Sequence, residues 1–246
     1  MDFAGGTVVH ISAGMTALAA AVALGKRTGF PDTPMAPHNL TIAVAGAGML
    51  WVGWFGFNAG SALVSDGSAG MTMLVTHLAA ACGSLAWMTI EWIKHGKPSV
   101  LGIVTGMVAV LGTVTAASGY VGPIGGALIG TTGGVVCYFA TQFIKRTLKL
   151  DDSLDVFPVH GVGGVTGTLL TAVFGAAALG GVGLDGTIAA QLKIQAIGVV
   201  AAVGYTAVVS YILFKIVNAI TPLRVDVEEE QLGLDLVCHD VRGYNF

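Results

Sequence analysis

Charge is what this chain has least of. Asp, Glu, Lys and Arg together make up 10% of the 246 residues, against 54% hydrophobic residues, and the mean hydropathy is +0.80. Soluble domains carry roughly 25% charge, so an ordinary soluble domain is excluded, and no nucleic-acid partner is expected. Cysteine is scarce as well. Cys82 and Cys137 lie within apolar segments and Cys238 near the C-terminus, which fits no disulfide or zinc framework. They read as small core residues and a free thiol, and no metal or other cofactor is expected. Only Met1 precedes the first apolar run, so the basic leader region of a signal peptide is not seen there. The net charge of −3 says little, although Glu228-Glu229-Glu230 makes the start of the tail acidic.

What is present is length in apolar runs. Seven segments reach the ~20 residues that cross a hydrocarbon core, at approximately 3–25, 39–62, 68–93, 99–118, 121–144, 156–179 and 187–218. A spanning backbone must satisfy its polar groups internally, and these runs are too long for barrel strands. The expectation is therefore an all-α integral membrane protein with seven transmembrane helices. It divides into a membrane domain over 1–221 and a tail over 222–246.

Lys and Arg alternate between the connecting loops. They follow the first span (Lys26, Arg27), the third (Lys94, Lys97), the fifth (Lys145, Arg146, Lys149) and the seventh (Lys215, Arg224). The loops near 65–67, 118–122 and 180–186 have none, and Lys193 is the outlier. Positive loops face the cytoplasm, which predicts Asp2 outside and the tail inside a multi-pass cell-membrane protein.

Two stretches carry the chemistry. In DFAGGTVVHISAG, Asp2 precedes His10 by eight residues; in DDSLDVFPVHGVGG, Asp152 precedes His160 by the same interval. An ionisable side chain inside a span costs about 2.5 kcal/mol or more and is a functional candidate by default. The alternative for one such imidazole is a core group bonded to a carbonyl; two in matching contexts weaken that alternative further. They lie five spans apart, hence in antiparallel helices, the mark of an inverted repeat. If segments two to six form one five-helix repeat, segment one is the last helix of the other, and four further helices are expected upstream.

The remaining signals are weaker. Gly163 and Gly167 have the spacing of close helix packing in lipid, and the strand that a dinucleotide fingerprint needs is missing. Leu50, Trp54, Phe57 and Ser61 form one helical stripe, which reads either as a cation site of rings beneath a hydroxyl or as aromatic packing. His77 has no acidic or aromatic motif around it in sequence, and His38, His95 and His239 read as solvated. Glu91 and Lys94 are expected to pair. Asp151, Asp152 and Asp155 read as helix caps or as an inner cation vestibule.

At these residues the chain resembles the ammonium transporter family (Amt/Mep, related to Rh proteins) over essentially its whole length. DFAGGTVVHISAG looks like the signature segment, GWFGFNAGSA like the sixth span and DDSLDVFPVHGVGG like the tenth. The resemblance implies a homotrimer of eleven-helix (5+5+1) inverted-repeat protomers, each conducting ammonium or ammonia, and no enzymatic activity. It makes His10 and His160 the central pore histidines, Phe57 an outer gate, Ser61 the outer-site hydroxyl, Asp2 the acidic residue near that site and Trp54 a pore-region tryptophan. The family's first four spans have no counterpart, and with them go the second gate phenylalanine and the outer-site tryptophan. Pro158 stands where better-known members have glycine. The tail keeps Gly233-Leu234-Asp235 and Tyr244-Asn245, whereas Asp240-Val241-Arg242-Gly243 departs from the usual run, at the end where a PII-class signal protein would dock. Two other functions fit the same letters: a sensor on this fold, and a redox subunit with haem held between His10 and His160.

Overall fold

A computed structural model describes residues 1–244, which form helices and turns without a strand among them. Six helices are long and apolar enough to cross a membrane: α1 (Gly6–Leu24), α2 (Leu40–Gly60), α3 (Gly67–His95), α5 (Pro123–Thr147), α6 (Phe157–Phe174) and α7 (Ile188–Ile220). Between α3 and α5 lies the shorter α4 (Val100–Val114). The tail carries α8 (Val227–Leu232) and α9 (Leu234–His239). Asn245, part of the tail resemblance, lies outside the described residues.

The starts of these helices follow from local chemistry. Asn39, Asp66, Ser99 and Thr187 each accept a backbone N–H from the first turn of the helix that follows, and Asp226 forms a capping box with Glu229. These are the residue types whose short polar side chains satisfy the orphan amides of a first turn.

The segment expected at 99–118 yields only the 15 residues of α4. Its ladder stops because the next carbonyls turn to other partners. Thr115 and Ala116 accept the amides of Ala4 and Phe3 at 3.3 and 3.0 Å. At 1.5 Å per residue α4 is roughly 22 Å long, short of the ~30 Å hydrocarbon core. The turn from Thr115 to Ser118 is nevertheless completely buried.

Lipid tails are as apolar as Leu, so helices associate in a bilayer by close packing of small residues. Here α3, α4 and α5 form the densest part of the molecule, with Val75, Ala79, Val110, Val114 and Ile129 at its centre. α6 packs on α4 at Gly163 and Gly167, where an added Cβ would meet Thr113 Oγ1 at 2.8 Å and Thr113 O at 1.7 Å.

Loops with basic residues gather at one end of the bundle. Arg27 and Asp151 form an ion pair at 2.7 Å, Thr28 N–H donates to Glu230, and the Arg224 guanidinium donates to Leu24 O and Glu230. Burial raises the Asp151 carboxyl, but its bonds from Arg27 outweigh that and hold it below the usual carboxylate range. Burial pushes the neighbouring Asp155 carboxyl up, despite Lys145 at 2.7 Å.

One expectation about polar residues is corrected here. The Glu91 carboxylate accepts Trp87 Nε1 and the Ser99 amide, and Lys94 instead lies over the Tyr138 and Phe139 rings at 5.4 and 4.5 Å. Glu91 is taken up by Trp87 one turn back on α3 and by Ser99 ahead of α4, and Lys94 by rings of α5, none of which the spacing of Glu91 and Lys94 reveals. His95 and His38 are both exposed, and each also bonds a tyrosine hydroxyl, of Tyr138 and Tyr244 respectively.

Candidate functional site

Each stretch with an Asp eight residues before a His folds in the same way. The Asp2 carboxylate accepts the N–H of Gly6 (2.7 Å) and Thr7 (3.1 Å); the Asp152 carboxylate accepts those of Val156 (3.0 Å) and Phe157 (2.7 Å). Both therefore reach four and five residues ahead to satisfy orphan amides of a helix start. Each start is a π-helical turn, Gly6–Ile11 in α1 and Phe157–Val162 in α6, and holds the histidine within it. Such a turn is rare and recurs at functional sites. Pro158 occupies the first turn of the second, where its missing N–H would be unsatisfied anyway. Asp152 is thus a cap, Asp151 and Asp155 are ion-paired, and Asp2 has both oxygens engaged by the backbone.

The histidines meet at the crossing of α1 and α6. Their Nδ1 atoms are 3.2 Å apart, and the rings are nearly coplanar in orientation, 13° apart with centroids at 5.1 Å. His10 is 3% exposed. The close approach depends on glycines four residues beyond each histidine. A Cβ on Gly14 would lie 2.2 Å from Gly161 N, and one on Gly164 would lie 3.1 Å from Ile11 and 3.2 Å from His10 Cβ. Gly112 of α4 forms the floor beneath the pair, with an added Cβ 3.3 Å from His160 Nδ1 and 3.7 Å from His10 Nδ1.

α2 supplies the next wall. Trp54 stacks on His10 with centroids 5.4 Å apart and 14° between planes, and Phe57 tilts against the same ring at 6.1 Å. Leu50, Trp54 and Phe57, together with His10, Val9 and Met49, line an apolar cleft of about 560 Å³. Phe57 is 41% exposed. Ser61, one helical turn beyond Phe57, donates its hydroxyl to the Phe57 carbonyl at 2.9 Å. Trp54, Phe57, His10 and His160 are therefore brought together, whereas Asp2 and Ser61 bond within their own turns.

Behind His10 lies a polar chain that the motif reading passed over. His10 Nε2 is 3.2 Å from Thr115 Oγ1, which accepts the Trp54 indole N–H at 3.0 Å and is joined to Asn58 and, through it, to Thr76. All of Asn58, Thr76 and Thr115 are completely buried. Their signal in the sequence was the presence of hydrogen-bonding side chains within apolar spans. At His77, Trp51 and Phe55 of α2 lie against the ring at 5.2 and 5.9 Å.

Chemically, this is a narrow seam of two imidazoles walled by aromatic rings. Haem between the histidines does not fit, because two metal–nitrogen bonds of about 2 Å each would need the nitrogens farther apart than 3.2 Å and on opposite faces of a macrocycle.

Residues 1–244 match the model of the Ammonium Transporter Family. The chain is 45% identical over 246 residues to an ammonium transporter of Aquifex aeolicus, covering 100% of this chain and 57% of that protein. It is 44% identical over 246 residues to ammonium transporter Amt1 of Archaeoglobus fulgidus, covering 99% and 62%. Among solved structures, a sensor Amt protein superposes with a TM-score of 0.91 at 36% identity, over 98% of this chain and 60% of that one. Saccharomyces cerevisiae Mep2 follows with 0.84 at 36%, over 96% and 55%. The chain thus spans between 57 and 62% of the length of these curated relatives.

Proposed function

Because this chain belongs to the ammonium transporter family, we propose that it forms the wall of a membrane path for ammonium, conducted past His10 and His160 as neutral ammonia. The observation that carries this is the imidazole pair at 3.2 Å, held in a seam of apolar and aromatic side chains. Moving a bare charge through such a lumen is expensive, whereas a neutral amine crosses at little cost. In this mechanism ammonium is recruited on the outer side near Ser61 and Phe57, and gives up a proton to external water before the Phe57 gate. Ammonia then passes along the rings with an imidazole nitrogen as hydrogen-bond partner. Potassium, with no proton to lose, is refused. Asp2 acts here by holding the π-turn that aims His10, as the bonds to Gly6 and Thr7 support, and Trp54 acts by flanking that ring.

The wider architecture belongs to the same proposal. The membrane domain is taken as 1–221, with seven spans in which α4 completes its crossing through the buried turn at 115–118. The tail is taken as 222–246, on the cytoplasmic side with the basic loops. Repetition of the Asp cap, π-turn and histidine in α1 and α6 supports an inverted repeat. Within a longer protein the protomer assembles as a homotrimer, and the tail is the surface offered to a PII-class signal protein.

The test is replacement of both histidines, His10→Ala with His160→Ala, followed by ammonium uptake in cells lacking their own transporters. Loss of conduction or of selectivity over potassium is expected; unchanged flux and selectivity would show that the pair has no part in the path. A reversal-potential measurement separates net charge movement from neutral flux. Similarity to a sensor Amt protein favours one second reading, ammonium sensing, in which those cells do not regain growth on low ammonium.

A further inference from the structure

The hydroxyl of Thr115 makes four contacts, and its single proton can serve only some of them. It lies 2.7 Å from Leu111 O and 3.3 Å from Asn58 Oδ1, both acceptors at their respective distances. The orientation of Asn58 is itself fixed from the far side. Thr76 sends its own proton to Thr72 O at 2.8 Å, so its oxygen must accept the Asn58 amide N–H at 3.1 Å, which leaves Oδ1 facing Thr115. The Thr115 proton therefore points toward Leu111 and Asn58, and its two lone pairs point the other way. One receives the Trp54 indole, which can only donate. The other faces His10 Nε2 at 3.2 Å. An unprotonated Nε2 there would set two lone pairs against each other in a buried site, at the cost of an unsatisfied polar group.

The geometry points to Thr115 as the positioning residue that fixes the tautomer of His10, with the proton on Nε2 and the lone pair on Nδ1. The consequence passes along the pair. His10 Nδ1 lies 3.2 Å from His160 Nδ1, so His160 must carry its proton on Nδ1 and donate it. Hydrogen bonds then run in one direction, from His160 to His10 to Thr115 to the carbonyl of Leu111. The one imidazole lone pair that this chain leaves unused is on His160 Nε2. If the proposed ammonia path is correct, substrate N–H groups are accepted by His160 and not by His10; the order of protons stands independently of that path.

Nitrogen-15 solid-state NMR of the full chain in lipid bilayers, with labelled histidine, reads the protons directly, since protonated and unprotonated ring nitrogens resonate far apart. Signals of His10 and His160 are assigned by their loss in His10→Gln and His160→Gln. The expected spectrum has His10 protonated on Nε2 alone and His160 on Nδ1 alone. Thr115→Ser preserves it, whereas Thr115→Val, of nearly the same shape, gives two His10 tautomers. A parent spectrum with His10 protonated on Nδ1, or a Thr115→Val spectrum identical to the parent, overturns the assignment. If that variant does not fold, the parent spectrum decides alone. The expected parent spectrum together with ammonium conduction unchanged in His10→Ala with His160→Ala would refute the path and leave the proton order standing.

Discussion

Substituting Gly14 with alanine is the sharpest test of how the helices set the histidine pair. Gly14 follows His10 by four residues on α1, and its Cα faces the backbone of Gly161, the residue after His160. An added methyl would lie 2.2 Å from Gly161 N and 2.3 Å from its Cα, where ordinary contact begins at 3.4 Å. Backbone cannot rotate away as a side chain can, so α1 and α6 must separate by roughly 1 Å or more to regain contact distance. Overpacking of this kind costs about 1–3 kcal/mol, and the better helix propensity of alanine offsets at most about 1 kcal/mol of it. A net loss of about 1–2 kcal/mol is expected. The same retreat carries the Nδ1 atoms from 3.2 Å to a separation of about 4 Å, outside hydrogen-bond range. Unfolding midpoints in detergent should fall and ammonium uptake should drop together. Gly204→Ala on α7, where nothing lies within 4 Å, serves as the control and should leave both unchanged or raise stability slightly. A Gly14→Ala protein as stable and as conductive as its parent would refute the claim that this contact sets the pair.

Asp152→Ala strips the cap from Val156 and Phe157 and should cost about 1 kcal/mol, with Asp2→Ala giving a similar loss at the equivalent turn; matched unfolding curves check the pair. Asp151 titrates below its ordinary value, so its contribution is fully present above the unfolded pKa and is lost as pH falls through the folded one. Acid unfolding of the parent should therefore include a component below about pH 4 that Asp151→Asn lacks, and that variant should be less stable at neutral pH by roughly 2 kcal/mol. Phe57→Ala uncovers one side of the His10 ring; because Phe57 is itself already 41% exposed, stability should change by less than about 1.5 kcal/mol while potassium exclusion weakens, measured by competition with ammonium flux.

Apolar length and the spacing from Asp to His were legible because both are local. Runs of about twenty residues declare helices in lipid, and a carboxylate reaching four and five residues ahead acts within one turn. Other features were hidden for the opposite reason. The end of α4 at Val114 depends on amides of Phe3 and Ala4, more than a hundred residues away in the chain. Glu91 and Lys94 have the right spacing to pair, yet Trp87, Ser99 and the Tyr138 ring draw them elsewhere.

The order of residues by itself determined that the chain carries helices long and apolar enough for a membrane and that an Asp stands eight residues before a His in two of them, since hydropathy and helical caps act over a few neighbouring positions. Only the tertiary structure decided that the two rings stand at hydrogen-bonding distance, with Gly112 beneath them and Thr115 behind. That arrangement needs α1, α4 and α6 to approach within contact distance. Which backbone atoms a missing side chain lets together is a property of packed helices, and no window of sequence contains it.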